Sequence, residues 1–354
     1  MGINYYTVGI KKDGTCVEIG YNDQGECNVS DWKDIVQVSC GNHHTIGLKK
    51  DGTCIAVGSN NYQQCNVTNW TDIVQISCGY NYTIGLKKDG TCVGVGYNGN
   101  NQCNITSWND IKQVSCGYQH TIGLKADGTC VGTGWNGFEQ LSIQNWTNIK
   151  QVSCGYGHTV GLKEDGTCIA AGDNSKGQLN VTDWTGIVQV SCGEYHTIGL
   201  KSNGTCIATG RNDQGQCNIS KWKNIVQVAC GNSHTVGLKE DGTCVAIGDN
   251  SKEQCNVASW IDIDSLMLDN LFKLLLPKFL LKQNNQYYTI KSQFYDGVMY
   301  KPCTKDYKVN GYEDLNGLIK EVNSMIVEGS KKTENEISIF EFNINDTVNK
   351  IEVI

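Results

Sequence analysis

The stretch of sequence that decides the fold is IVQVSCGNHHTIGLKKDGTCIAVGSNNYQQCNVTNW, residues 35–70. Nearly the same sequence returns every 38 residues over residues 1 to about 268. Its tryptophan therefore occurs seven times, at Trp32, Trp70, Trp108, Trp146, Trp184, Trp222 and Trp260. A fixed period of this length is typical of repeat proteins, in which each unit buries its apolar surface by stacking on its neighbours.

Each repeat has the pattern of a small β-sheet. Apolar runs rich in Val, Ile and Thr alternate with Asp-Gly and Gly-x-Asn elements, which predicts four short antiparallel strands, the last within residues 64–70. The 41 glycines of the chain disfavour helical repeats. Because apolar residues occupy both faces of the predicted strands, each sheet needs a cover on both sides. We therefore predict an all-β fold, a seven-bladed β-propeller over residues 1–268.

The two ends of this region are predicted to close the ring. Residues 3–9 align with residues 41–47, so the first repeat lacks the strand that IVQVSC forms in the second repeat. Residues 261–266, after the last repeat tryptophan, are a degraded version of that strand. We expect residues 261–268 to complete the first blade, which would leave no exposed sheet edge.

Two elements, CGNHHTIGLKKDG (residues 40–52) and GRNDQGQC (residues 210–217), resemble the bacterial form of the regulator of chromosome condensation repeat. The resemblance covers residues 1 to about 268 and implies a propeller. Members of that family include a nucleotide-exchange factor for a small GTPase and propeller-type β-lactamase inhibitory proteins. The exchange factor has longer repeats and a protruding wedge, whereas no insertion interrupts the 38-residue period here. The resemblance therefore favours a binding function over nucleotide exchange.

The 19 cysteines largely follow the repeat. One of their repeat positions holds Leu141 and Leu179 in two copies, as suits a small apolar slot rather than a disulfide or a metal ligand. Cys40 and Cys54 stand at opposite ends of their predicted blade, too far apart to form a bridge. The count is odd, and we expect no signal peptide before the first blade. We expect free core thiols, no zinc, and synthesis in a reducing bacterial cytoplasm.

Histidine follows the repeat as well. Five of the six histidines share one repeat position, which Tyr6 and Tyr82 fill in the two remaining copies. Acid–base or metal chemistry would not need five copies or tolerate tyrosine, so we expect a structural hydrogen bond at the turn into the second strand. The chain has no nucleophile–base arrangement, paired-carboxylate signature or phosphate-binding loop. We predict no catalytic residue, no metal, no cofactor and no enzymatic activity.

Chain reversal predicts two different faces for the disc. The turn at residues 42–43 and the loop at residues 59–66, with their counterparts every 38 residues, lie together on one face, which we call the variable face because its sequence differs between repeats. The predicted partner-binding residues on it are Tyr80, Tyr97, Tyr118, Trp135, Phe138, Tyr156, Tyr195 and Arg211. Clustered aromatic residues with arginine are typical of recognition hot spots. The alternative is that these aromatic residues are exposed without a partner.

The net charge of the predicted disc bears on which kind of molecule it can bind. The chain carries a net charge of −7, and its last 85 residues hold 11 basic and 11 acidic groups, so the negative charge lies in the predicted propeller. An anionic disc lacks the positive surface that a nucleic-acid backbone requires. We expect a protein or cell-surface glycan partner and no nucleic acid.

Residues 269–354 differ in composition and are predicted to form a small α+β anchoring or assembly domain. Strands are predicted at Tyr287–Lys291, ISIFEFNI (337–344) and KIEVI (350–354), and a helix at Glu313–Val327. The apolar run at residues 265–282 is too short and too charged to span a bilayer, so we expect no membrane insertion; a linker strand and a packing helix are favoured.

The stretches KFLLKQNNQYYTIKSQFYDG (278–297) and GYEDLNGLIKEV (311–322) resemble C-terminal segments of tail-associated proteins of phages and prophages of anaerobic Gram-positive bacteria. This resemblance implies a non-enzymatic recognition protein of a phage tail or tail-like particle. The variable face would bind a host-surface or neighbouring protein, and residues 269–354 would bind particle proteins. The alternative is a protein inhibitor that clamps an enzyme, like the propeller-type β-lactamase inhibitors, and a structural spacer is the third possibility.

Overall fold

The computed structural model describes residues 4–264 and seven further strands between residues 279 and 353. The chain divides into two compact units, Met1–Asn270 and Leu271–Ile354. Within the described residues the secondary structure consists of strands, and no helix is long and apolar enough to span a membrane.

Residues 4–264, the described part of the first unit, contain twenty short strands. They are β1 (Tyr6–Ile10), β2 (Cys16–Gly20), β3 (Ile35–Cys40), β4 (His44–Lys49), β5 (Cys54–Gly58), β6 (Ile73–Cys78), β7 (Tyr82–Lys87), β8 (Cys92–Gly96), β9 (Ile111–Cys116), β10 (His120–Lys125), β11 (Cys130–Gly134), β12 (Ile149–Cys154), β13 (His158–Lys163), β14 (Cys168–Gly172), β15 (Ile187–Cys192), β16 (His196–Lys201), β17 (Cys206–Gly210), β18 (Ile225–Cys230), β19 (His234–Lys239) and β20 (Cys244–Gly248).

These strands form seven antiparallel sheets, one for each repeat. Six sheets have three strands, from β3-β4-β5 to β18-β19-β20, and the first sheet has two, β1 and β2. The middle strand of each three-stranded sheet is buried on both faces, as predicted; in β4 only Lys49 is partly exposed. The seven sheets follow one another in a ring, the arrangement of a β-propeller.

Glutamine side chains join the first strands of neighbouring sheets. Gln37 on β3 donates a hydrogen bond from Nε2 to the Ile76 carbonyl (3.1 Å), and its Oε1 accepts one from the Ile76 amide (2.8 Å). The same pair of bonds joins Gln113 on β9 to Val152 on β12. Because these amide groups are buried, each glutamine satisfies backbone groups that would otherwise lack partners.

The predicted fourth strand of each repeat is wrong. In the second repeat, residues 59–72 form consecutive tight turns, in which the Asn66 amide donates to the Gln63 carbonyl (3.1 Å) and the Trp70 amide to the Val67 carbonyl (3.0 Å). Side chains take the amides that a strand would need: Asn60 Oδ1 accepts from the Cys65 amide (2.9 Å). Such local side-chain bonds compete with sheet pairing. Val67 and Trp70 of this segment are nevertheless buried, so the segment covers the sheet without joining it.

The ring closes between the last and the first sheet. Trp260 packs on Gly9 of β1, where an added Cβ would lie 2.9 Å from Trp260 Cζ3. Ile263 forms an antiparallel bridge with Lys11, and the Asp264 amide donates to the Ile10 carbonyl (2.8 Å). The predicted closure is therefore confirmed up to residue 264, and residues 265–268 lie outside the described residues.

The described strands of the second unit form three small sheets. They are β21 (Phe279–Gln283), β22 (Gln286–Ile290), β23 (Gln293–Tyr295), β24 (Val298–Tyr300), β25 (Ser330–Glu334), β26 (Ile337–Ile344) and β27 (Thr347–Val353). Strands β22, β26 and β27 overlap the three strands predicted here. The predicted helix at Glu313–Val327 lies outside the described residues. Of residues 265–282, for which a linker strand and a packing helix are predicted, residues 279–282 belong to β21 and residues 265–278 lie outside the described residues.

Candidate functional site

Backbone hydrogen bonds place the turns and loops of the variable face side by side. The Tyr97 amide, at the start of a loop, donates to the Asn81 carbonyl in the turn of the same repeat (2.8 Å). The Trp135 amide donates to the Gln119 carbonyl in the same way (2.8 Å). At the other ends of the strands, the Lys88 amide donates to the Asp72 carbonyl (2.9 Å). The predicted division into two faces is confirmed.

The turns of the variable face are also linked from one sheet to the next. The Tyr80 amide donates to the Tyr118 carbonyl (3.4 Å), and the Tyr156 amide to the Glu194 carbonyl (3.3 Å). The Asn232 amide of the last repeat donates to the Asn4 carbonyl of the first (3.0 Å). These bonds hold the turns in fixed positions relative to each other, so the side chains they carry are displayed on a preorganised surface.

Four tyrosines form a continuous stack along these turns, which we call the tyrosine ladder: Tyr80, Tyr118, Tyr156 and Tyr195. The ring centroids are 4.4 Å apart between Tyr80 and Tyr118, 4.3 Å between Tyr118 and Tyr156, and 5.5 Å between Tyr156 and Tyr195. All four side chains are partly exposed. Burial first, and then neighbouring charges that include Glu194, raises the pKa of each phenol, so the ladder is uncharged at neutral pH.

Two aromatic pairs lie in the loops of the same face. Trp135 and Phe138 meet edge to face, with ring centroids 4.9 Å apart. Phe138 also covers Gly157 in the next repeat, where a Cβ would lie 2.4 Å from the ring. Tyr97 contacts Tyr62 of the preceding repeat edge to face at 5.4 Å. Tyr62 was not among the predicted site residues, although it is 49% exposed and occupies a variable loop position.

Arg211 stands apart from the aromatic contacts. Its Nε donates to Asp213 Oδ2 in the same loop (2.8 Å). It also lies close enough to Glu194 to lower the pKa of that carboxyl, although burial is the larger influence and raises it. Glu194 is the second residue that sequence reasoning missed. It follows Gly193 directly and so occupies the turn position that Tyr80, Tyr118 and Tyr156 fill in other repeats.

The surroundings of the histidines and cysteines indicate structural roles for these residues. His120 is buried, and its Nε2 lies 3.1 Å from Thr159 Oγ1 of the next sheet. Burial lowers the pKa of His120 to about 3 and raises the pKa of Cys92 to about 12. All 18 cysteines of the described part of the chain are free. Residues 4–264 and the described C-terminal strands contain no group of three or more His, Cys, Asp or Glu side chains that could hold a metal ion.

Six stretches of the chain match the model of the regulator of chromosome condensation (RCC1) repeat: residues 35–64, 73–102, 111–140, 149–178, 187–216 and 225–254. The chain belongs to the RCC1 repeat family. Each match begins at the first strand of a three-stranded sheet of the propeller and ends at the buried glutamine of the following loop. The first repeat is formed by two chain segments, one at the beginning and one at the end of the propeller sequence. No curated protein is similar enough to match this RCC1 repeat protein.

Solved structures with the same fold include three of diverse origin. The CRINKLY WD40 ectodomain of the receptor kinase ACR4 from Arabidopsis thaliana is 18% identical, with a TM-score of 0.57 over 70% of this chain and 96% of that one. Human WBSCR16 is 18% identical, with a TM-score of 0.56 over 67% and 85%. Yeast RCC1 (Prp20), in its complex with Kap60, is 16% identical, with a TM-score of 0.55 over 65% and 73%. At this level of identity the likeness concerns the fold alone.

Proposed function

We propose that this RCC1 repeat protein is a non-enzymatic protein-binding module, which contacts its partner through the tyrosine ladder and the adjacent aromatic pairs of the variable face. The observation that carries the proposal is the ladder itself. Four partly exposed rings stack across adjacent sheets at centroid distances of 4.3 to 5.5 Å. Partly exposed tyrosines on a fixed backbone supply apolar contact area and hydroxyl groups at a low cost in conformational entropy.

The remaining chemistry of the described residues supports a binding role rather than catalysis. The histidines at the repeated position are neutral and buried, as are most of the cysteines. Substrate turnover would need ionisable groups in an accessible cleft, with pKa values near the working pH. Yeast RCC1, seen bound to Kap60, is an example of a propeller of this fold with a protein partner.

The biological setting that we propose is a phage tail or tail-like particle, synthesised in a bacterial cytoplasm. Its support is the resemblance of residues 278–322 to segments of tail-associated proteins. In that setting, residues 269–354 attach the protein to the particle, and the variable face binds a host-surface protein or glycan, or a neighbouring particle protein. The competing setting is that of an inhibitor whose variable face clamps an enzyme. Proteomics of purified particles separates the two, because an inhibitor would be absent from them.

To test the binding role, the full chain is used as bait to capture proteins from cell envelopes. The affinity of the chain for each captured protein is then measured. The variants are Tyr118→Ala and the double variant Tyr97→Ala with Trp135→Ala. Truncation of aromatic hot-spot residues costs roughly 1.4 kcal/mol or more, so we expect at least a tenfold weaker affinity for each variant. The melting temperature should change by no more than about 4 °C.

Lys88→Ala is the matched control, because Lys88 is exposed on the opposite face. It should bind like the parent protein. Parent-like affinity of both aromatic variants, or an equal loss in the Lys88 variant, would contradict the proposed site.

A further inference from the structure

We propose that the tyrosine ladder, together with Glu194, is a receptor for arginine or lysine side chains, so that the partner presents a basic segment to the variable face. This inference rests on the proposed binding function and specifies the chemistry of the partner. It depends on three features of the described residues: the charge of the face, the position of Glu194 and the exposed rings.

The variable face is acidic. Its turns and loops contain eight acidic residues and three basic ones. The acidic residues are Asp23, Glu26, Glu139, Asp173, Glu194, Asp213, Asp249 and Glu253, and the basic residues are Lys176, Arg211 and Lys252. In contrast, the turns of the opposite face combine lysines with acidic residues, as in Lys49, Lys50 and Asp51, so their charges largely cancel. A cationic partner segment would therefore be attracted to the variable face in preference to the other.

Glu194 is the acidic residue within the ladder. Its backbone carbonyl accepts the Tyr156 amide, and its neighbour in the chain is Tyr195. Its carboxylate makes no hydrogen bond and no ion pair among the described residues, since the nearby Arg211 pairs with Asp213 instead. A partly buried carboxylate without a hydrogen-bond partner is costly, and an arriving cation would satisfy it.

The rings around Glu194 suit the same ligand. A guanidinium or ammonium group is attracted to a tyrosine ring face that no neighbouring ring covers, by roughly 0.5–2 kcal/mol depending on how far it is desolvated, and the phenol oxygens of the stacked rings can accept hydrogen bonds from it. The charge of Glu194 also acts on the whole ladder, because it contributes, after burial, to the raised pKa of Tyr80, Tyr118, Tyr156 and Tyr195. A cation placed over the ladder is thus within the electrostatic reach of the carboxylate.

The repeat supplies conservative variants for the test. The turn position of Glu194 and Tyr118 holds asparagine in two other repeats, at Asn42 and Asn232. Glu194→Asn and Tyr118→Asn therefore introduce a residue that this fold already accepts at that position. Glu240→Asn is the matched control, because it removes the same charge from an exposed residue near the opposite face.

The probe is a fluorescein-labelled Gly-Ser peptide with two arginines, compared with the same peptide carrying glutamine, and binding to the full chain is measured by fluorescence anisotropy. We expect saturable binding of the arginine peptide and at least tenfold weaker binding of the glutamine peptide. Glu194→Asn and Tyr118→Asn should each weaken binding of the arginine peptide about fivefold or more. Glu240→Asn should change it less than twofold.

Two outcomes overturn the inference: no saturable binding of the arginine peptide, or an equal loss in the Glu194 and Glu240 variants, which would show attraction by net charge alone. The proposed binding function is judged separately with the captured partner. If Tyr118→Ala weakens partner binding while the arginine peptide does not bind, the binding function stands and the basic-segment inference falls. If ladder substitutions leave partner binding unchanged, the proposed function itself is wrong.

Discussion

Five buried histidines show how this repeat uses an ionisable residue without its charge. In each case Nε2 lies 3.0 or 3.1 Å from a threonine hydroxyl of the neighbouring sheet, as between His44 and Thr83. Burial lowers the pKa of these histidines to about 3 or about 4. Tyr82 makes the equivalent link with its hydroxyl, which accepts a hydrogen bond from Thr121 Oγ1 (3.2 Å) and also donates one to the His120 carbonyl (2.6 Å). The position therefore needs a hydrogen-bonding ring, and either residue type supplies it.

The histidines predict a loss of stability in mild acid. Each pKa is lower in the folded state than the ordinary value of about 6.5 in the unfolded state, so the unfolded state binds more protons below pH ~6.5. The free energy of unfolding should fall as the pH drops from about 7 to 5, by roughly 2 kcal/mol for each buried histidine. Urea unfolding followed by circular dichroism at several pH values in this range measures the slope.

His120→Tyr is the matched variant, because tyrosine occupies this position in two other repeats. It should remove about one histidine's share of the pH slope. The aspartates of the turns should not add to the pH dependence of the free energy of unfolding over this range. Their pKa values are lowered from the ordinary value of 3.8, mainly by hydrogen bonds from threonine, as in Asp51, so they stay ionised in both states over this range. An unchanged slope in the variant would show that His120 does not titrate on unfolding.

At the scale of strands, the sequence predicts the first three segments of each repeat well and the fourth incorrectly. Apolar runs such as IVQVSC, with turns on both sides, pair with the neighbouring strand as expected. The segment QCNVTNW also contains apolar residues, but the Asn60 side chain and nearby backbone carbonyls accept hydrogen bonds from its amides. Gln63 and Asp72, on either side of the segment, adopt φ values of 67° and 58°, far from the negative φ of an extended strand. A prediction from strand propensity alone does not include the competition between these local hydrogen bonds and sheet pairing.

For the candidate site, the sequence predicts the face of the disc on which the residues lie, but not the contacts between them. Strand reversal places the predicted aromatic residues on one face, as the structure confirms. It does not reveal which rings meet, because the stacking of Tyr118 on Tyr156 at 4.3 Å depends on the offset between neighbouring sheets. It also gave no reason to select Glu194, whose importance comes from the rings around it rather than from its residue type.

Packing between neighbouring sheets predicts the cost of filling one glycine of each repeat. Gly123 on β10 lies under Trp108, and an added Cβ would be 2.8 Å from the indole. Gly123→Ala should therefore lower the free energy of unfolding by about 1–3 kcal/mol, since a buried indole cannot move aside without disturbing its neighbours. Denaturant unfolding measures the loss.

Gly132→Ala on the adjacent strand β11 is the control. Four other repeats carry alanine at that position, at Ala56, Ala170, Ala208 and Ala246. The atoms that a Cβ would meet are flexible methyl groups of Leu141 and Ile122, at 2.9 and 3.0 Å. This variant should lose less than about 1 kcal/mol. Equal losses in the two variants would contradict the special role of the tryptophan contact.

On the scale of the whole molecule, stability depends on joining the two ends of the ring. The contacts between the last and the first repeat copy those between consecutive repeats: His234 lies 3.1 Å from Thr7, and the Asn232 amide donates to the Asn4 carbonyl. Residues 260–264 add the indole contact with Gly9 and the pairing beside Ile10 and Lys11. A ring closed in this way exposes no long strand edge at the junction, whereas an open ring of the same blades would.

Truncation tests this closure. A chain ending at residue 270 keeps every described closing contact and should unfold in one cooperative transition as a soluble monomer. A chain ending at residue 258 loses Trp260, Ile263 and Asp264, and with them a buried indole, a buried isoleucine and the backbone pairing to β1. Removal of one large buried side chain typically costs about 3–5 kcal/mol, so the shorter chain should melt at a lower temperature and aggregate through its open sheet edge. Thermal melts and size-exclusion chromatography with light scattering compare the two. If the shorter chain remained monomeric with an unchanged melting temperature, residues 259–264 would have no part in closing the ring.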